Sequence, residues 1–213
     1  MNVNEMENYI IKSYNPITVN IQPKTERELL NIYYKYTDVL YQYLRYNVDN
    51  FMHALNNEIR AMLGHLAEYR ISDTGDKRDL DKAYGHFRRL NLDALKILCD
   101  EFDRTLSKKL KQQYKYDYRN TCADYLKEFG ERYIKAKNLY IKAQEDERVG
   151  CDSHTHNIIK LYYDAAKEYI LLKQYYDSKK KVIQKAKREI IIKRFIMGIL
   201  TVIGIVSSAL SFL

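Results

Sequence analysis

The sequence predicts an all-α protein: an elongated antiparallel helical bundle with a coiled-coil hairpin, followed by a single C-terminal transmembrane helix. Three observations support this fold class. Apolar and tyrosine side chains recur three and four residues apart, both prolines lie within the first 23 residues, and the last nineteen residues carry no charge. Such spacing is typical of one helix face. The predicted segments are an extended N-terminal arm (1–24), a helical bundle (25–178), a basic juxtamembrane helix (179–194) and a transmembrane tail anchor (195–213).

The first three bundle helices are predicted from cap and turn signals. Both prolines lie in "NPITVNIQP", which predicts the extended arm. Thr25 and Glu28 have the spacing of a capping box, so the first helix is predicted to begin there and to kink or recap at "NVDN", residues 47–50. A second helix is predicted through "FMHALNNEIRAMLGHLAEY", ending at the turn "SDTGD". The third is predicted from about Lys77 and is expected to fray at "QQYKYDYRN".

The fourth and fifth helices are predicted to pair as an antiparallel coiled coil. Each carries a seam of side chains at alternating spacings of four and three. Many seam positions are tyrosines, whose hydroxyls need water or a partner. These seams are therefore either partly wet or closed by another subunit. The seam residues are Cys122, Leu126, Phe129, Tyr133, Ala136, Tyr140 and Ala143 on the fourth helix, and Ile158, Tyr162, Ala165, Tyr169, Leu172 and Tyr176 on the fifth.

The uncharged segment 195–213 predicts a tail anchor. Nineteen residues of helix rise about 28 Å, close to the roughly 30 Å hydrocarbon core of a bilayer. A buried core helix is the alternative interpretation. Small residues four apart let membrane helices pack closely, so Gly204 and Ser208 are the predicted transmembrane packing residues.

Positive charge is concentrated directly before this segment. The chain has a net charge of +8, and residues 179–194 hold eight basic residues against one glutamate. Such a block is expected to bind anionic lipid headgroups and to hold the preceding residues on the cytoplasmic side, in a single-pass protein. A basic RNA-binding stalk is the alternative. The predicted membrane-binding residues are Lys179, Lys180, Lys181, Lys185, Lys187, Arg188, Lys193 and Arg194.

Cysteine usage and motifs give no signal for a metal or a cofactor. The three cysteines, Cys99, Cys122 and Cys151, are odd in number and far apart, which disfavours a disulfide framework. The stretch "CDSHTH" offers Cys151, His154 and His156 but lacks a fourth zinc ligand, and capping of the next helix explains it more simply. No phosphate-binding glycine loop or Ser-His-Asp order is visible. The sequence therefore predicts no metal and no cofactor, and disfavours a conventional enzyme.

Two Gly-His pairs flank the "SDTGD" turn. If the flanking segments form a helical hairpin, His65 and His86 lie at the same height, and Gly64 and Gly85 are expected to let the backbones approach there. Three interpretations stay open: a structural histidine pair, an RNase site, or a ligand-sensing pocket. The predicted polar interhelical cluster is Glu58, Arg60, His65, His86, Arg89 and Asp93.

The R-x4-H spacing of Arg60 and His65 resembles the signature of HEPN domains. These are all-α bundles found in RNases and accessory proteins of prokaryotic antiviral and toxin systems. The resemblance implies that Arg60 and His65 are catalytic residues, which in active members gather at a dimer cleft and promote RNA cleavage. With its anchor, the chain is also similar to HEPN-like membrane accessory proteins and effectors near CRISPR and other phage-defence loci, which oligomerise and act on the membrane.

Three functions are therefore expected as candidates. The first is a tail-anchored antiviral effector or accessory protein that oligomerises through its bundle and perturbs or permeabilises the inner membrane. Its partners would be anionic lipids, further copies of itself and a protein from the same operon. The second is a membrane-tethered HEPN-like RNase, under which nucleic acid becomes a partner. The third is a tail-anchored coiled-coil adaptor that binds another protein.

Overall fold

The computed structural model describes residues 1–48, 52–72, 77–115, 119–149 and 155–210, excluding the side chains of residue 52, 114–115, 119–121, 155–157 and 206–210. No strand occurs in these ranges, so the all-α class is confirmed. The helices are α1 (Val3–Ser13), α2 (Pro16–Val19), α3 (Glu26–Ile32), a π-helical segment (Tyr33–Thr37), α4 (Asp38–Asn47), α5 (Met52–Ile71), α6 (Lys77–Lys115), α7 (Arg119–Val149), α8 (Thr155–Ser178) and α9 (Lys180–Leu210).

The N-terminal residues 1–24 do not form the predicted extended arm, since they contain α1 and α2. A capping box starts α1: the Asn2 side chain accepts a hydrogen bond from the Glu5 amide at 2.9 Å, and the Glu5 carboxylate accepts one from the Asn2 amide at 2.9 Å. Pro16 occupies the first position of α2, where its missing N–H would have no helical partner. The side chain of Asn15 caps that helix. The first proline therefore starts a helix.

The predicted cap at Thr25 is confirmed. Its hydroxyl accepts a hydrogen bond from the Glu28 amide at 3.2 Å, and the Glu28 carboxylate accepts one from the Lys24 amide at 2.7 Å. In a capping box this carboxylate accepts a hydrogen bond from the amide of the N-cap residue, here Thr25. The Glu28 carboxylate instead accepts from the residue before it, Lys24. The helix continues from α3 through the π-helical segment into α4 and ends at Asn47, at the start of the "NVDN" stretch. Residues 49 and 50 of that stretch lie outside the described ranges.

The chain divides into two compact units. The first comprises Met1–Thr105 with Ile134–Leu171, and the second comprises Leu106–Tyr133 with Leu172–Leu213. Side chains that are fully buried in the first unit include Ile10, Leu40, Tyr43, Leu55, Met62, Phe87, Leu90 and Tyr169. Those buried in the second unit include Leu106, Tyr125, Leu126, Phe129 and Leu172.

The predicted antiparallel pairing of α7 and α8 is confirmed in the first unit. Lys135 Nζ lies 2.8 Å from Glu168 Oε1, and the Tyr162 hydroxyl donates to Glu147 Oε2 at 2.7 Å. As residue numbers rise on α7 they fall on α8, which defines an antiparallel pair. Helix α6 packs against the same pair, because the Tyr169 hydroxyl donates to Asp103 Oδ1 at 3.0 Å. Within the first unit, the two seams therefore belong to a three-helix packing arrangement.

Many seam and core tyrosine hydroxyls are satisfied within the chain. The acceptors are mostly carboxylates and amides, such as Glu7 for Tyr43 at 2.9 Å and Asn91 for Tyr14 at 3.0 Å. Burial of these rings is therefore compatible with their polar ends, without a second subunit. The described hydroxyl donors include Tyr14, Tyr43, Tyr140, Tyr162, Tyr163, Tyr169 and Tyr175.

The C-terminal helix α9 runs from Lys180 to Leu210, through the predicted boundary between the juxtamembrane segment and the anchor. Within the described part of the chain, none of the helices combines the length and the apolarity needed to cross a membrane. The anchor predicted at 195–213 is therefore not supported by the described residues. Its last three residues, and the side chains of 206–210, lie outside them.

Candidate functional sites

The two histidines that flank the turn lie next to each other, as predicted, and their rings stack. The ring centroids of His65 on α5 and His86 on α6 are 5.4 Å apart, with an interplanar angle of 22°. The expected role of the glycines is wrong: a Cβ added at Gly64 would meet no described atom within 4 Å, and one at Gly85 would meet Arg89 Nη1 at 3.9 Å. The imidazole rings, and not closely spaced backbones, make this helix contact. Residues 73–76 of the predicted turn lie outside the described ranges.

A carboxylate and a guanidinium hold His86 on its other side. Glu58 Oε2 lies 2.8 Å from His86 Nδ1 and 3.2 Å from Arg89 Nε, while Arg89 Nη2 lies 2.8 Å from His86 Nδ1. Nδ1 donates to Glu58 when it carries a proton and accepts from Arg89 when it does not. Arg89 bridges to Glu58 in both cases. The cluster is therefore partly exposed but internally hydrogen-bonded.

Asp93 lies one turn beyond Arg89 on α6 and is half-buried. Burial raises the pKa of its carboxyl, Lys96 opposes this rise, and the nearby charges of Glu58 and Glu147 add to it. The ion pair with Lys96 is long, at 3.9 Å from Nζ to Oδ1. Asp93 thus joins the predicted cluster electrostatically.

Arg60 is not brought to the histidine stack. It is exposed on α5 and makes no hydrogen bond or ion pair with any residue in the described ranges. Five residues along an α-helix turn about 140° around its axis, so Arg60 and His65 lie on different faces. Within one chain the geometry does not assemble the pair implied by the HEPN resemblance. Their catalytic role stays a prediction.

Two acidic residues that the sequence reasoning missed complete the histidine site. His65 Nδ1 lies 3.1 Å from Glu68 Oε2 and 3.9 Å from Asp79 Oδ1, and the three candidate ligand atoms all lie within 4.8 Å of one another. His65 and Glu68 are three residues apart on one helix face, a local signal that was available in the sequence. Asp79 comes from α6, and only the packing of the two helices brings it close. These residues could hold a divalent metal ion.

The described thiols give no metal site. Neither Cys99 nor Cys122 is in a disulfide within the described residues, and burial raises the pKa of both. A raised pKa lowers the fraction of thiolate, which is the form that acts as nucleophile and metal ligand. Cys151 and His154 of "CDSHTH", and the side chain of His156, lie outside the described part of the structure.

The second candidate site is α9, in which residues 180–194, here called the basic half, are followed by the apolar residues 195–205, here called the apolar half. The predicted membrane-binding residues are exposed, apart from the half-buried Lys179. All side chains from 191 to 205 are exposed, including Phe195 at 69%, Leu200 at 56% and Ile203 at 54%. The apolar half is therefore uncovered on every face.

A polar cavity of about 210 Å³ lies beside the basic half of α9 in the second unit. Its lining contains two lysines and no carboxylate. Lys109 Nζ lies 4.2 Å from the Tyr176 ring centroid, and burial lowers the pKa of Lys109, with Asp177 opposing and Lys180 adding to the effect. The cavity therefore extends the positive surface of α9. Its lining residues are Lys109, Gln112, Gln113, Tyr176, Ile183, Gln184 and Lys187.

The predicted transmembrane packing residues lie on α9. A Cβ added at Gly204 would meet no described atom within 4 Å, so a neighbouring helix has room there. The side chain of Ser208 lies outside the described part of the structure.

Comparisons of the chain with protein-family models, curated proteins and solved structures found no match. The HEPN resemblance accordingly stays a prediction.

Proposed function

We propose that this chain is a membrane-anchored helical protein, held on the cytoplasmic face of an anionic bilayer by α9. One observation carries the proposal: a single helix joins an exposed basic half to an apolar half that is exposed on every face. Leaving a large aliphatic side chain in water costs about 1.5–3 kcal/mol relative to burying it. Lipid would remove this cost for many side chains at once.

Lipid matches both halves of α9 better than protein does. The alternative of a buried core helix has no support, because the described side chains from 191 onward are not covered by the chain itself. In water, a second copy of α9 placed in parallel would cover apolar surface but would bring two basic segments together without anionic headgroups to neutralise them. Anionic headgroups next to a hydrocarbon layer supply an opposite charge and an apolar solvent in the same order as α9 presents them.

The apolar half alone is too short to span a bilayer. Residues 195–205 rise about 16 Å as a helix, which is roughly half of a hydrocarbon core. Spanning therefore needs residues 206–213 as well, which would extend the helix to about 28 Å. The proposal thus depends on the final eight residues entering lipid together with those before them.

At the membrane, we propose that the protein acts as an effector whose anchors cluster and perturb the bilayer. This step is inferred from the resemblance to membrane effectors of phage-defence loci. Gly198 supports helix clustering, because a Cβ added there would meet no described atom within 4 Å and small residues let membrane helices approach closely. The RNase alternative gains no support from the positions of Arg60 and His65.

Flotation with lipid vesicles tests the anchor, using the full-length protein purified in detergent and reconstituted. We expect it to float with phosphatidylglycerol vesicles and to resist a carbonate wash, and we expect a variant lacking 195–213 to be released. A second variant, with Lys185, Lys187 and Arg188 changed to Gln, should lose preference for anionic over neutral vesicles. Equal carbonate resistance with and without residues 195–213 would overturn the anchor.

Dye release from the same vesicles tests the effector step separately. Full-length protein should cause leakage that rises more steeply than linearly with its surface density, because clustering requires several copies. Gly204→Leu should reduce leakage without reducing flotation. Stable flotation without any leakage would refute the effector role and leave the anchor standing.

A further inference from the structure

We infer that His65, Glu68 and Asp79 form a binding site for a first-row divalent transition metal ion, with zinc as the best match. The site lies where α5 and α6 meet, within the first unit, whereas α9 belongs to the second. It is independent of the proposed membrane function.

The distances between the candidate ligand atoms suit a metal ion. In a tetrahedral site with metal–ligand bonds of about 2.0–2.1 Å, neighbouring ligand atoms lie about 3.3–3.4 Å apart. The separations from His65 Nδ1 are 3.1 Å to Glu68 Oε2 and 3.9 Å to Asp79 Oδ1, and no pair in the triad exceeds 4.8 Å. Small rotations of the two carboxylates would bring all three atoms onto one ion.

The surroundings of His65 hold its ring in place. The imidazole is stacked on His86, whose Nδ1 contacts Glu58 and Arg89. His86 therefore positions the ring of His65 while its own Nδ1 is engaged elsewhere. This stack restricts the tilt of the His65 ring by packing.

The charge balance also favours a dication. A neutral imidazole and two carboxylates carry two negative charges, which one divalent ion neutralises. Asp79 is 8% exposed, and its present cationic partner is Lys82, with Nζ 3.2 Å from Oδ1. The Lys82 side chain is 47% exposed, and ion pairs with an exposed partner stabilise a protein only slightly, so a metal ion can replace it.

The donor set selects the class of metal. One imidazole nitrogen with two carboxylate oxygens suits Zn²⁺, Co²⁺ or Mn²⁺ better than Mg²⁺ or Ca²⁺, which prefer oxygen ligands alone. Three protein ligands leave a position for water, and Glu68, with a side chain that is 63% exposed, leaves the site open to solvent. Bound metal would tie the end of α5 to the start of α6.

Calorimetric titration of the EDTA-treated, full-length protein with Zn²⁺ tests the site, with Mg²⁺ as the comparison ion. We expect one Zn²⁺ to bind with micromolar or tighter affinity, Mg²⁺ to bind at least a hundredfold more weakly, and Zn²⁺ to raise the melting temperature. His65→Ala and the nearly isosteric Asp79→Asn should each weaken Zn²⁺ binding by tenfold or more. His53→Ala, at an exposed histidine on the same helix, is the matched control and should bind as the wild type does.

A spectroscopic readout separates this site from other ligands. Co²⁺ bound by His65 should give visible absorption bands that Asp79→Asn shifts or removes and that His53→Ala leaves unchanged. Circular dichroism confirms that each variant is folded. Absence of Zn²⁺ binding, or binding that is equal in the wild type and in folded Asp79→Asn protein, would overturn the inference.

Discussion

The substitution Ile203→Lys tests whether lipid surrounds the apolar half of α9. Ile203 is 54% exposed and is the ninth of the nineteen residues from 195 to 213, close to the centre of the proposed span. On an insertion scale, Ile at a span centre contributes about −0.6 kcal/mol and Lys about +2.5 to +3.5 kcal/mol. The change therefore costs insertion about 3–4 kcal/mol, which is roughly a hundred- to a thousandfold in the membrane partition constant.

The same substitution should leave the folded body unchanged. An exposed residue without core contacts alters the free energy of unfolding by about 0.5 kcal/mol or less. Val182→Lys is the matched control, since Val182 is 49% exposed on the same helix but lies in the basic half. We expect carbonate extraction to release Ile203→Lys and to retain Val182→Lys, with unchanged melting temperatures for both. Retention of Ile203→Lys in the membrane fraction would refute the reasoning, as would a large fall in its melting temperature.

Three further predictions concern the helical body. Phe87→Ala should lower the free energy of unfolding by about 3–5 kcal/mol in urea titration, because Phe87 is fully buried, whereas Leu63→Ala, at a half-exposed position, should change it by about 0.5 kcal/mol or less. Burial raises the pKa of Asp93, so its charge destabilises the folded state at neutral pH, and Asp93→Asn should have a higher melting temperature than the wild type at pH 7. This difference in melting temperature should disappear as the pH falls below about 4, where the aspartate is protonated in both the folded and the unfolded state. A difference that grows in acid would contradict this. Arg60→Ala should leave urea stability within about 0.5 kcal/mol of the wild type, and a larger loss would show a structural contact for this arginine.

The candidate histidine site was predictable only in part. The hairpin symmetry around the turn placed His65 beside His86, and the stack confirms it. The same hairpin predicts Arg60 near them, but five residues of helix place Arg60 and His65 on different faces. Asp79 escaped notice because its partner His65 lies fourteen positions earlier, on a different helix. A site whose ligands come from two helices leaves no pattern in the sequence of either helix.

The helix at the N-terminus shows the opposite case, where the signal was local. Asn2 and Glu5 form a capping box, and Pro16 follows the N-cap residue Asn15. Both features predict helix starts. The two prolines favour an extended chain, but a proline at the first helical position costs no hydrogen bond.

The sequence by itself determined the helical class, the start of α6 at Lys77, the cap at Thr25 and the seam positions of α7 and α8 other than Cys122 and Tyr176, which are only half-buried. These properties depend on contacts within a few residues, which helical periodicity and capping record directly. Only the tertiary structure decided that α6 packs against both seam helices, that tyrosine hydroxyls end on carboxylates inside the chain, and that Asp79 faces His65. Those contacts join residues far apart in sequence, and their geometry depends on how whole helices pack.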